Sequence, residues 1–162
     1  MVTTMALVAA LCAQNSPAHH VRGADPRFNA LLEAGMAQSA TFRQVVEALD
    51  RSDVIVYVEP KVTHAALGAF LRHHVVVAGG FRYLHVDMNL TGSRRWLIPL
   101  LAHELQHAVE VSQDPAVHDE QGVDQLFIRL HVGFGCGESS CAETAAAKSA
   151  EATVREELKR SH

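Results

Sequence analysis

Cysteine is scarce in this chain, with three in 162 residues. Three thiols allow at most one internal bridge, which excludes a small fold stapled by a disulfide framework. No stretch is apolar for long enough to span a bilayer. Lysine and arginine are scattered, the densest run being Arg94-Arg95, and the formal net charge is −4. Nothing in that balance calls for nucleic acid or an anionic membrane as partner. Internal repeats and low-complexity tracts are absent as well.

What remains is an ordinary globular composition, 48% apolar and 20% charged, in a chain long enough to bury one real core. The expected division is a leader or disordered N-terminus over 1–22 and a single domain over 23–162. Met5 to Ala13 has the length of a signal-peptide apolar region, with polar Gln14 to Pro17 after it. Its flanks fit less well: Met1 to Thr4 carries no Lys or Arg, and Leu11 is large for a site near cleavage. The expectation is a secreted or periplasmic protein, with a frayed helix of a cytoplasmic one as the alternative. Loss of a leader containing Cys12 leaves Cys136 and Cys141, whose spacing across a short turn suits a disulfide in an oxidising compartment.

Local patterns give the elements. Asp25-Pro26 reads as an N-cap followed by proline at the first helical position, and helical periodicity runs to about Ala37. Thr41-Phe42-Arg43-Gln44 matches a capping box, with Phe42, Val45, Val46 and Leu49 on one face up to Asp50. Val54 to Val58 is β-branched and aromatic and reads as a strand. His74 to Ala78, Gly79-Gly80, then Phe81 to Leu90 reads as a hairpin. In its second arm Phe81, Tyr83, His85 and Asp87 alternate with Arg82, Leu84, Val86 and Met88. A helix starts at Ser93 or nearer Pro99 and runs to about Ser112. Further helices cover Asp119 to Leu130 and Ser140 to about Arg160. The fold class expected is α/β in the α+β sense: a short, mainly antiparallel sheet whose hairpin packs on the helix near residue 103, with further helices around it.

That helix carries the chemistry. His103-Glu104-Leu105-Gln106-His107 lies within the apolar run from Trp96 to Val109. Residues four apart on a helix stack on one face, so two imidazoles can share one metal ion. Glu104 sits at the edge of that face, where it can take a proton from water beside Zn²⁺. Two buried, hydrogen-bonded histidines would be the purely structural reading.

A catalytic zinc site needs a third protein ligand. Glu110, His118, Asp119, Glu120, Asp124, His131, Glu138 and Glu143 lie downstream. Glu110 shares the stripe of His103 and His107, but helical side chains lean toward the N-terminus, which aims it at His107 rather than past it. Glu143 is the preferred candidate, because the alanines after it let its helix approach the motif helix closely. Glu143 could instead close a capping box with Ser140.

With these residues in place, the chain resembles the zincin metallopeptidases, and among them the glutamate-ligand group called gluzincins. The five-residue motif is the specific part; the resemblance covers the region from the hairpin to the last helix. It implies a zinc-dependent peptidase acting on a peptide or protein, with His103, His107 and Glu143 as ligands and Glu104 as general base. It also implies a strand above the motif helix that binds substrate backbone, for which Phe81 to Leu90 is the segment here, and an oxyanion donor, for which His85, Tyr83 and His131 are candidates. The metzincin pattern is not followed: Glu110 stands where that group has glycine, Gln113 where it has histidine, and no methionine follows. The upstream Gly-Cys-Leu type of segment of peptide deformylases is missing. A pared-down enzyme and a non-catalytic metal-binding or protein-interaction module both fit so short a chain.

Overall fold

The computed structural model describes residues 19–61, 68–130 and 143–161. The elements follow one another as β1 (Val21–Gly23), α1 (Pro26–Gln38), α2 (Ala40–Asp50), β2 (Val54–Pro60), β3 (Ala69–Leu71), β4 (Val76–Ala78), β5 (Phe81–Met88), α3 (Arg94–Gln113), α4 (Glu120–Leu130) and α5 (Ala145–Arg160). The result is a mixed α and β fold with one hydrophobic cluster drawn from both layers. None of the described helices is long and apolar enough to cross a membrane.

The helix starts are chemically explicit. Asp25 caps α1, its Oδ1 accepting from the Arg27 N–H at 2.8 Å with Pro26 in the first turn. The second helix starts two residues earlier than the Thr41 capping box predicts. Ser39 is its N-cap, accepting from the Phe42 N–H at 2.9 Å. Thr41 is drawn elsewhere: its hydroxyl and N–H both donate to Glu157 of α5.

The sheet runs β1-β2-β5-β3, with β4 also paired to β5. It is mixed rather than mainly antiparallel, since β1–β2 and β2–β5 are parallel and only the short β3 and β4 run against β5. The crossover through α1 and α2 accounts for the first parallel pair, because a helical return brings the chain back to the same end of the sheet. The hairpin stands as expected: Gly79 and Gly80 both take positive φ, 59° and 82°, the geometry of a two-residue turn that favours glycine. Folded structure begins inside the segment 1–22, since Val21 and Arg22 belong to β1 and His20 donates its N–H to Asp50. Residues 1–18 of the expected leader, and both Cys136 and Cys141, lie outside the described residues.

Alternation along β5 sorts its side chains. Leu84, Val86 and Met88 join the core with Val54, Val56 and Val58 of β2. Arg82 shares their face and is itself buried. Its guanidinium grips both oxygens of Asp53 and donates to the carbonyls of Val111, Ser112, Asp114 and Val117. This cation gathers carbonyls at and just beyond the end of α3, where the helical ladder runs out, and so fixes α3 to the sheet.

Helix α3 is buried on nearly every side, with Leu101, Ala102, Leu105 and Ala108 fully enclosed, as expected of a central helix that is apolar around most of its circumference. Losing one such leucine typically costs about 2–5 kcal/mol. Ser93 is its N-cap and Pro99 lies inside it. Ala147, Ala150, Val154 and Leu158 form the buried face of α5; the two alanines keep that face low where it meets α3.

Candidate metal centre

His103 and His107 stand one turn apart in the middle of α3, where packing on all sides leaves their rings little freedom. Both are buried. Their Nε2 atoms lie 3.2 Å apart, and the rings meet edge to face with centroids 4.9 Å apart.

The outer nitrogen of each ring is held by a carboxylate. His107 Nδ1 is 2.9 Å from Glu110 Oε2, and His103 Nδ1 is 3.1 Å from Glu151 Oε2 on α5. An ionised carboxylate only accepts, so each Nδ1 carries the proton and each Nε2 presents a lone pair. Two lone pairs facing each other at this distance repel unless a proton or a cation lies between them. Burial first, and then the neighbouring His107, hold the His103 imidazole below its ordinary pKa, while Glu143 and Glu151 pull the other way.

Glu143 comes to the same place. Its Oε1 lies 3.9 Å from His103 Nε2. The cap of α5 is Thr144, whose Oγ1 accepts from the Ala147 N–H at 3.1 Å. Glu143 therefore precedes the helix and cannot occupy the third helical position of a capping box with Ser140. Thr144 also donates its hydroxyl to Glu110 Oε1 at 2.6 Å. Glu110 is thus engaged on both oxygens, by His107 and by Thr144.

Glu104 is buried beside this pair, with Oε2 accepting from the Leu71 N–H at 2.8 Å. Burial pushes its pKa up to about 7, against the pull of His107 and the Leu71 N–H. Leu71 belongs to β3, the sheet edge beside α3 among the described strands. This corrects the assignment of Phe81 to Leu90 as the substrate-binding strand: β5 is interior, flanked by β2 on one side and by β3 and β4 on the other. Its length made it the conspicuous segment in sequence, whereas β3 has only three residues.

Tyr83 and His85 are also corrected as oxyanion donors. They share a face with Tyr57, whose ring stacks on both, at 6.4 and 5.7 Å. Alternation places them opposite Leu84 and Val86, which face the helices. His131 lies outside the described residues, as does Glu138. Asp119 is occupied at the start of α4, accepting from the Gly122 N–H, and Asp124 holds His73 Nδ1 at 2.5 Å.

Glu151 and Thr144 escaped the sequence reading. A carboxylate four residues after Ala147 on the inner edge of α5 was the available signal, but nothing local says that it meets His103.

Zinc suits the donors that converge here. Zn–N bonds of about 2.0–2.1 Å in tetrahedral geometry set two ligating nitrogens roughly 3.4 Å apart, close to the observed 3.2 Å. Carboxylates on the outer nitrogens are the usual support for metal-binding imidazoles. Among the described residues no three His, Cys, Asp or Glu side chains stand as a ready-made metal cage. Glu143 is nearest to completing one and would have to close on the histidines. No family model, curated protein or solved structure matches the chain.

Proposed function

We propose that this protein is a zinc-dependent hydrolase of the metallopeptidase kind, with a peptide or protein as substrate. The observation that carries the reading is the opposed pair of Nε2 atoms, 3.2 Å apart, with each ring fixed from behind by its own carboxylate. His103 and His107 would hold the ion and Glu143 would complete the set. When bound, zinc supplies Lewis-acid chemistry, polarising a carbonyl and acidifying water. Glu104 accepts the proton on Oε1, since Oε2 is held by the Leu71 N–H. Glu151 and Glu110 keep the imidazoles in one tautomer, and Thr144 keeps Glu110 in place.

A non-catalytic metal-binding module is the second reading. It draws on Glu104, whose enclosure and bond to β3 would serve a structural role equally well. The discriminating experiment measures zinc stoichiometry and peptide hydrolysis for the wild type and Glu104→Gln. The enzyme reading expects about one zinc in both and turnover only in the wild type. Zinc in both with no cleavage by the wild type across a broad peptide library supports the module. No zinc uptake by the wild type removes both readings.

A further inference from the structure

The two carboxylates behind the paired imidazoles are held in different ways. Glu110 stands three residues beyond His107 on the same helix, and Thr144 donates to its second oxygen. Glu110 and Thr144 are both buried. Glu151 instead reaches His103 from the neighbouring helix, with 23% of its side chain in solvent. A glutamate so placed has rotamers that point into water, and a partner on its free oxygen removes them.

That partner is Arg155, one turn further along α5. Its Nη2 donates to Glu151 Oε1, while Glu151 Oε2 faces His103 Nδ1 at 3.1 Å. Arg155 is held in turn by Trp96 of α3, its guanidinium carbon 5.5 Å from the centroid of the six-and-five-membered ring system. Trp96, His103 and Glu110 are spaced by seven on α3, which places them on one side of the helix. They meet Arg155, Glu151 and Thr144 in descending order, so α3 and α5 run antiparallel. The contacts therefore leave α3 at Trp96, cross to Arg155 and Glu151, and return to α3 at His103.

We propose that Arg155 is a positioning residue for the metal centre: braced by Trp96, it keeps Glu151 on His103 Nδ1 and so sets how tightly the site takes zinc. The inference rests on the zinc-binding part of the reading above and not on hydrolysis. Two effects of Arg155 oppose each other, since its charge repels a cation while its grip keeps the carboxylate on the ring. A carboxylate and the width of an imidazole separate the guanidinium from the Nε2 that would meet the metal. That separation is comparable with the Debye length of about 8 Å in physiological salt, and 40% of the Arg155 side chain is exposed, so the repulsion is screened. The grip acts by direct contact and prevails. A planar guanidinium can stack on a ring and donate from its edge at once, which an ammonium cannot.

Competitive zinc titration of the full chain against a chromogenic chelator tests this, with melting in excess chelator as the check on folding. Arg155→Met should lower zinc affinity about fivefold, or about 1 kcal/mol, against roughly 10- to 100-fold for Glu151→Gln. Melting without zinc should be unchanged in both. The double variant should bind zinc no more weakly than Glu151→Gln alone, because Arg155 acts only through that carboxylate. Arg155→Lys, which keeps the charge and loses the stack, should fall between Arg155→Met and the wild type. Trp96→Ala should also weaken binding, and Trp96→Phe, which keeps a ring against the guanidinium, should restore it. Wild-type affinity in Arg155→Met, or losses that simply add in the double variant, overturn the proposal. So does full affinity in Arg155→Lys or in Trp96→Ala, which would leave no part for the stack. Absence of zinc uptake by the wild type fails the metal reading itself, and this proposal with it, before any variant is compared.

Discussion

Thr144 donates its hydroxyl to Glu110 across the junction of α5 and α3, at 2.6 Å. One residue thereby caps α5, anchors the carboxylate behind His107 and sets where the preceding Glu143 enters the site. Thr144→Val removes both the cap and the bond to Glu110 while keeping the shape. Loss of the cap alone should cost about 1 kcal/mol, and zinc affinity should fall roughly 10- to 100-fold, as when a supporting contact is lost. Denaturant unfolding with chelator and zinc titration measure the two effects separately. Unchanged affinity beside lowered stability would confine Thr144 to capping.

Glu143→Gln and Glu110→Gln form a matched pair. If Glu143 is a ligand, its neutral amide should weaken zinc binding severely, because zinc favours an anionic oxygen. Glu110→Gln should have the milder effect, again about 10- to 100-fold. A titration that ranks Glu110 above Glu143 overturns the ligand assignment and leaves the histidine pair intact.

Glu104→Gln preserves size and the bond from the Leu71 N–H, but an amide cannot take a proton from water. Zinc content should stay near that of the wild type, while hydrolysis falls about 10²- to 10⁴-fold or more. Wild-type turnover in this variant would show that Glu104 is not the base.

Asp53 and Arg82 give a prediction in pH. The Arg82 guanidinium holds the Asp53 carboxyl below its ordinary pKa. A carboxylate whose pKa is lower in the folded than in the unfolded state stabilises the fold above its unfolded pKa, and that contribution is lost as pH falls through the folded value. Asp53→Asn should therefore lose about 2 kcal/mol at neutral pH, in the range of a hydrogen bond to a charged group. The figure stays modest because the Asp53 side chain is 46% exposed and solvent screens the pair. The gap between variant and wild type should close in acid. Urea midpoints measured from pH 7 down to 2 test this; a constant gap would mean that the loss is not electrostatic.

Short-range features are legible in the chain alone. Apolar periodicity and cap chemistry placed α1, α4 and the end of the motif helix to within about two residues, while the start of that helix stayed open between Ser93 and Pro99. Gly79-Gly80 fixed the hairpin, because only a turn with two positive φ values joins adjacent strands there. The motif spacing alone put His103 and His107 on one face. These are short-range properties, set by backbone sterics and by neighbours within one turn. Long-range packing supplied the remainder. It chose the edge strand, since pairing partners lie far apart in sequence and β3 is too short to show a pattern. It turned Tyr83 and His85 away from the helices, because alternation gives two faces without saying which one is covered. It also brought Glu151 to His103 and Thr144 to Glu110 across 48 and 34 residues. Those contacts depend on how closely two helices pack, which the small side chains of α5 permit but no local pattern specifies.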